Sequence, residues 1–146
     1  MRAYSEAYLA EVVETQGKLF DFFSYKYSEY DTCDFIEAYM KSTTRHRIDI
    51  CQAYVATLDY NDLLELFLKE DTYVPKKGNA VRGFRPMWIG EFYAYYQWYY
   101  NIPSSEVFKK VPLEFLLLSY NVLHDLDLEL AVKRVREANK WYYLLS

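Results

Sequence analysis

Residues 87–100 read MWIGEFYAYYQWYY, and at 100° per residue this stretch has no polar face wide enough to meet water. Trp88, Phe92, Tyr95, Tyr96 and Tyr99 share one stripe, while Ile89, Tyr93 and Tyr100 widen it to nearly half the circumference. Trp98 falls on another side. A helix apolar almost all round is a buried central helix, so the rest of the chain must wall it in. Its least bulky arc, Gly90, Ala94 and Gln97, is where a neighbouring backbone can come close. Rings in excess of what a core needs, Tyr96, Trp98 and Tyr100, are expected to face outward as an interface.

The remaining periodicity is helical too. Over residues 4–27, Tyr8, Val12, Leu19 and Phe23 cluster on one side, flanked by Leu9, Val13 and Phe20, with Glu11, Glu14, Lys18 and Asp21 opposite. Gly17 interrupts this pattern at a cost of about 1 kcal/mol relative to alanine. Asp31 or Thr32 caps a second helix over residues 33–41, with Phe35, Ile36, Tyr39 and Met40 as its apolar set. "STTRHR" either interrupts that helix or runs on into "IDICQAYVATL". Asp59 or Asn61 caps the helix in "DYNDLLELFLKE". Glycine and proline then concentrate in residues 71–86, "DTYVPKKGNAVRGFRP", a loop with a short hairpin as the alternative.

After the aromatic segment, "NIPSSEVFKKVP" reads as a turn and a short helix. Pro103 suits its first turn and Ser104 or Ser105 its cap, with Glu106 near the positive end and Lys109 and Lys110 near the negative one. Pro112 pushes Val111 out of the α region, so the chain bends and restarts as "PLEFLLLSYNVL". A junction at residues 124–127 leads to a closing helix with Leu128, Val132 and Val135 inward. The greasy "WYYLLS" is expected to dock back or to meet another chain. The expected fold is all-α: one domain over residues 1–146, with six or seven helices around the aromatic one.

Charge and cysteine use narrow the function. A net charge of −4 and a pI near 5.2 demote a general nucleic-acid binder, which depends on neutralising phosphates. Cys33 and Cys51 fit no zinc or disulfide spacing and read as reduced cytosolic thiols. "MRAYSEAYLAEVVE" has no apolar run of the signal-peptide kind, and Glu114, Ser119 and Asn121 break the greasiest stretch, so a cytoplasmic protein without a membrane span is expected.

Chemistry-bearing patterns are few. "HDLD" sets His124 beside Asp125 and three before Asp127, a spacing open to a general base or a metal pair; the simpler reading is that His124 ends one helix and an aspartate caps the next. His46 within "RHR" belongs to a solvated basic face. "KKGNAVRG" has neither Walker nor Rossmann spacing, and no G-x-S-x-G occurs. No enzyme activity and no cofactor are expected. Residues 88–118 can be read as helix-turn-helix, but the second helix would offer only Ser104, Ser105, Glu106, Lys109 and Lys110. Lys76, Lys77, Arg82 and Arg85 form the clearer positive cluster, next to rings, suited to single strands or to an acidic protein surface.

Over "GFRPMWIGEFYAYYQWYYNIPSSEVFKKVPLEFLLLSYNVLHDLD" the chain resembles a group of small uncharacterised bacterial proteins, through Trp88, Gly90, Tyr93, Ser104, Ser105, Pro112, Tyr120 and His124. "YSEAYLAEVVETQGKLFDF" is similar to openings common in small Firmicute proteins of this sort. The resemblance implies a bacterial cytosolic protein with a protein partner, from toxin–antitoxin-like or mobile-element neighbourhoods, and carries no assigned activity. The leading expectation is therefore a non-enzymatic interaction or regulatory protein, the antitoxin-like member of a pair. Its partner is a toxin or a second copy of itself. Its contact surface is Lys76, Lys77, Arg82, Arg85, Tyr96, Trp98 and Tyr100, and Trp98→Ala should spare stability. The alternative is a nucleic-acid-binding regulator; an enzyme at His124 and Asp127 is the minor third.

Overall fold

Two long helices meet through glycine, and the other elements are arranged around that contact. In the computed structural model, which describes the backbone of residues 2–145 and the side chains of residues 2–139, they are α1 (Glu6–Lys26) and α6 (Arg85–Tyr100). Gly17 faces Met87 and Gly90 while Tyr4 faces Trp98, so the two run antiparallel. A Cβ on Gly90 would lie 2.5 Å from the Gln16 carbonyl oxygen, inside any tolerable contact. The close approach expected on the Gly90 arc is present, and Gly17 is its other half rather than a tolerated defect.

The remaining helices are α2 (Thr32–Met40), α3 (Thr43–Asp49), α4 (Ala53–Ala56), α5 (Tyr60–Glu70), α7 (Ser104–Lys110), α8 (Leu113–Leu123) and α9 (Leu128–Leu145). The described residues thus hold nine helices and no strand: the all-α class stands, with more and shorter elements than the six or seven expected. The extra breaks are local. Lys41 closes α2 and Ser42 caps α3 by accepting from the Arg45 N–H, and Cys51, at φ 55°, stops α3 from running on into α4. Asp71, at the end of α5, secures the α3 start by accepting from the N–H groups of Thr43 (2.8 Å) and Thr44 (3.2 Å). Side-chain caps also form at Ser5, Asp31, Asp59 and Asp127.

Buried side chains from α1 through α9 join in one core. Phe20, Phe23, Phe35, Tyr39 and Phe67 interlock on the α2 and α5 side, with Phe23 stacked on Phe35 at 3.8 Å. On α6, Trp88, Phe92, Tyr93, Tyr96 and Trp98 are buried, as a central scaffold helix requires. Two of these correct the expected surface, because Tyr96 is 2% and Trp98 4% exposed. Tyr96 sits between Phe92 and Tyr100 where α9 packs on α6, and residues 2–4 cover Trp98. Neither wall is visible in the periodicity of α6 itself. Trp98→Ala is thus a core truncation that costs stability rather than sparing it.

Buried tyrosines give a pH signature. Burial pushes the Tyr4 hydroxyl up to about 12 and raises Tyr39, Tyr93 and Tyr73 as well, the last helped by its hydrogen bond to Asp34. A tyrosine ionises near 10 when unfolded. Above that pH the unfolded chain loses protons that the native state keeps, so these groups' stabilisation is complete below about pH 10 and is lost as pH rises through the folded values. Urea melts should give a midpoint that falls steeply above about pH 10, with tyrosinate absorbance appearing together with loss of helix. Tyrosinate forming well before the helices melt would contradict this burial. No helix among the described residues is long and apolar enough to cross a membrane.

The greasy "WYYLLS" tail, expected to dock back or to meet another chain, lies outside the described side chains.

Candidate functional site

The loop between α5 and α6 is stitched to the turn between α1 and α2. Asp31 N–H donates to the Lys76 carbonyl (2.7 Å), Gly78 N–H to Glu29 (3.2 Å), and Val81 N–H to the Thr32 hydroxyl (3.0 Å). Tyr30 and Lys77 form an isolated antiparallel bridge, so the alternative of a hairpin within the loop is replaced by one rung to a distant turn. Gly78 permits this, since a Cβ there would lie 2.7 Å from the Asp31 Cβ. Gly83, at φ 79°, then turns the chain into α6.

This stitching brings Val81, Arg82 and Gly83 against the last turns of α1. Between them and Asp21, Ser24, Tyr25 and Lys26 lies an open groove of about 510 Å³. Tyr25 is 83% exposed, and Phe84, which follows Gly83, is 79% exposed. Arg82 is exposed and forms no ion pair among the described residues. Lys26 lies 5.4 Å from the Phe22 ring centroid.

The four basic residues of the loop do not act as one cluster. Lys76 reaches Asp34 on α2 at 3.5 Å, an exposed pair of small energetic weight. Lys77 is exposed beside the bridge, Arg82 lines the groove, and half-buried Arg85 opens α6. The positive charge of Arg85 acts on the Cys33 thiol, opposing the burial and the Asp31 charge that push it up. Of the expected aromatic contacts, Tyr96 and Trp98 are inside, and half-buried Tyr100 lies under the Arg136 guanidinium at 4.1 Å. Tyr25 and Phe84 are exposed rings at the groove that the expected surface omitted, and Tyr8 and Tyr54 are exposed elsewhere. Tyr25 had a signal, because it falls four residues after Asp21 on the wet face of α1.

Elsewhere the polar geometry is local. His124 Nδ1 lies 2.7 Å from the Tyr120 carbonyl, its ring stacks on Tyr120 at 4.4 Å, and Nε2 stands 3.3 Å from Asp125. Asp127 caps α9 through the Leu130 N–H (2.8 Å). His124 therefore ends one helix and Asp127 begins the next, and no group of three or more metal-type ligands occurs among the described residues. A polar cleft of about 220 Å³ holds His46, Asp49 and Ser105, but His46 Nδ1 is 4.0 Å from Asp49 Oδ2, too far to orient a base. Both Asp49 oxygens are taken by Ser104, whose N–H donates at 2.8 Å and hydroxyl at 2.6 Å.

These Ser104 bonds also decide the helix-turn-helix geometry. Pro103, not a serine, holds the N-cap position of α7, and Ser104 is buried rather than presented outward. The seven-residue α7 shows solvent Glu106, Lys109 and Lys110, and Lys109 already pairs with Glu106 at 3.5 Å. No family model, curated protein or solved structure matches this chain.

Proposed function

We propose that this protein is a non-enzymatic binding protein that captures an acidic protein surface at the groove between α1 and the 81–84 segment. The observation that carries the reading is the pairing of two highly exposed rings, Tyr25 and Phe84, with an arginine, Arg82, that has no ion pair among the described residues. Aromatic anchors with arginine are the composition of interface hot spots. On a chain of net charge −4, the groove sets Lys26 and Arg82 against the single carboxylate of Asp21, a locally positive lining that favours an acidic partner. The resemblance to proteins of toxin–antitoxin-like neighbourhoods supports a toxin as that partner, with this chain as the neutralising member.

Two double variants test the surface: Arg82→Glu with Lys26→Glu, and Tyr25→Ser with Phe84→Ser. Each should lower capture of the partner at least about tenfold, the scale of one hot-spot residue. Their melting temperatures should stay close to that of the parent, because all four side chains are exposed. Identical capture by both variants and the parent would remove this groove as the contact.

Stacking of single-stranded nucleic acid on the same rings is the second reading, supported by the flanking cations. It requires affinity that falls steeply with salt. Low-salt shift assays with single-stranded DNA and RNA that show no complex would eliminate it.

A further inference from the structure

At the opposite end of the α1–α6 pair, residues 2–4 are drawn across the C-terminal turn of α6. Trp98 Nε1–H donates to the Tyr4 carbonyl at 2.8 Å, and the Tyr4 ring leans on the indole with centroids 6.4 Å apart. The Arg2 guanidinium carbon lies 4.2 Å from the Trp98 ring centroid and 4.7 Å from that of Tyr99. Arg2 Nε–H donates to the Tyr99 carbonyl at 3.2 Å. One exposed arginine thus meets two aromatic faces and a backbone acceptor 97 residues away.

This end of α6 is built for a cation. The last carbonyls of a helix lack intrahelical donors and carry the negative end of its dipole. α6 has no basic residue in its own last turn, so the complementing charge comes from outside the helix. Lys133 lies 5.7 Å from the Tyr99 centroid, and Arg136 covers Tyr100. Burial and then the charges of Glu129 and Glu6 push the neighbouring Tyr95 phenol up, which places negative charge beside these rings. Glu129 is paired with Lys133 at 3.5 Å, whereas Glu6 has no ion pair among the described residues.

We propose that Trp98, Tyr99 and the Tyr99 carbonyl form a guanidinium-binding cage which exposed Arg2 occupies in cis, so that the Arg2 side chain is the displaceable occupant of a docking site for an arginine side chain of a protein partner, while buried Tyr4 stays in the core. The acceptor sets the selectivity. A guanidinium offers a flat face to the rings and an N–H to the carbonyl together, whereas a trimethylated lysine has no N–H to give. Exposed cation–π contacts are individually weak, and a cis occupant held by them yields to a competing arginine. The cage is separate from the groove at the other end of α1, and each can fail without the other.

The test uses the full chain labelled with 5-fluorotryptophan, the Trp98 resonance being assigned with Trp98→Phe, and N-acetyl-arginine amide as probe. In Arg2→Ala the probe should shift the Trp98 resonance saturably, with an apparent Kd at least about fivefold below that of the parent, whose cage is already filled. Arg2→Lys, which keeps the charge but not the flat fork, should fall between them. N-acetyl-lysine amide and its trimethylated form should shift the signal less at equal concentration. Equal titrations of Arg2→Ala and the parent, no saturable shift in Arg2→Ala, or an equal response to the trimethylated probe would each overturn the cage.

Discussion

Asp49→Ala is expected to lower the unfolding free energy by about 3–5 kcal/mol, a large share of what a domain of this size possesses. Arg45 is 1% exposed, and its Nη1 stands 3.1 Å from Asp49 Oδ1. Neither terminal guanidinium nitrogen makes a well-directed hydrogen bond within the protein, so the contact is one of charge more than of a matched fork. Removing the carboxylate strands a buried cation and also strips the Ser104 N–H and hydroxyl of their acceptor at the start of α7. At roughly 2–4 °C per kcal/mol, the melting temperature should fall by roughly 6–20 °C.

The double change Arg45→Met with Asp49→Leu separates the ion pair from the Ser104 bonds. It removes both charges and should recover part of the loss, since a buried pair replaced by apolar groups is often close to neutral. What it fails to recover measures the anchoring of α7 by Asp49. An Asp49→Ala protein that melts within about 2 °C of the parent would mean that Arg45 finds other partners and that this centre is not the lock on α3 and α7 described above.

Gly90→Ala is expected to destabilise by about 1–3 kcal/mol or more, although alanine is the better helix former by about 1 kcal/mol. The added Cβ would meet the Gln16 carbonyl oxygen at 2.5 Å, the Gln16 carbonyl carbon at 2.8 Å and the Gly17 Cα at 2.9 Å. All three are backbone atoms, so no side-chain rotation relieves the clash, and α1 must move off α6 along the most extensive helix pair in the fold. Gly17→Ala meets the flexible Glu91 Cγ at 2.7 Å but also the Met87 carbonyl oxygen at 2.9 Å, and should cost less. Chemical denaturation of the two variants gives the ranking. A Gly90→Ala protein as stable as the parent would show that the helices are not in backbone contact there.

Much of this architecture was legible before any coordinates. The ring-rich segment had to be a buried helix because it lacks a polar arc, and its glycine arc foretold that a neighbouring backbone comes close, though not that α1 supplies it through Gly17. Caps such as Asp31 and Asp59 could be read because capping uses residues two or three positions away. Arg45 could not be read in this way. In "TTRHRID" it looks like any surface arginine, and its burial depends on Asp49 and on the packing of α2, α5 and α7 against α3. The contact surface was half legible. Exposed Lys76, Lys77 and Arg82 follow from loop composition, while Trp98 failed because the groups that cover it come from 94 residues earlier in the chain.

The sequence alone determined the helical class, the central place of residues 87–100, and the loop that carries the basic residues, because those follow from periodicity and short-range backbone chemistry. Only the tertiary structure decided which rings reach solvent, which cations stay unpaired, and where an arginine is locked inside. Those outcomes depend on long-range contacts, and the hydrophobic pattern of a single helix contains no information about the segment that comes to lie against it.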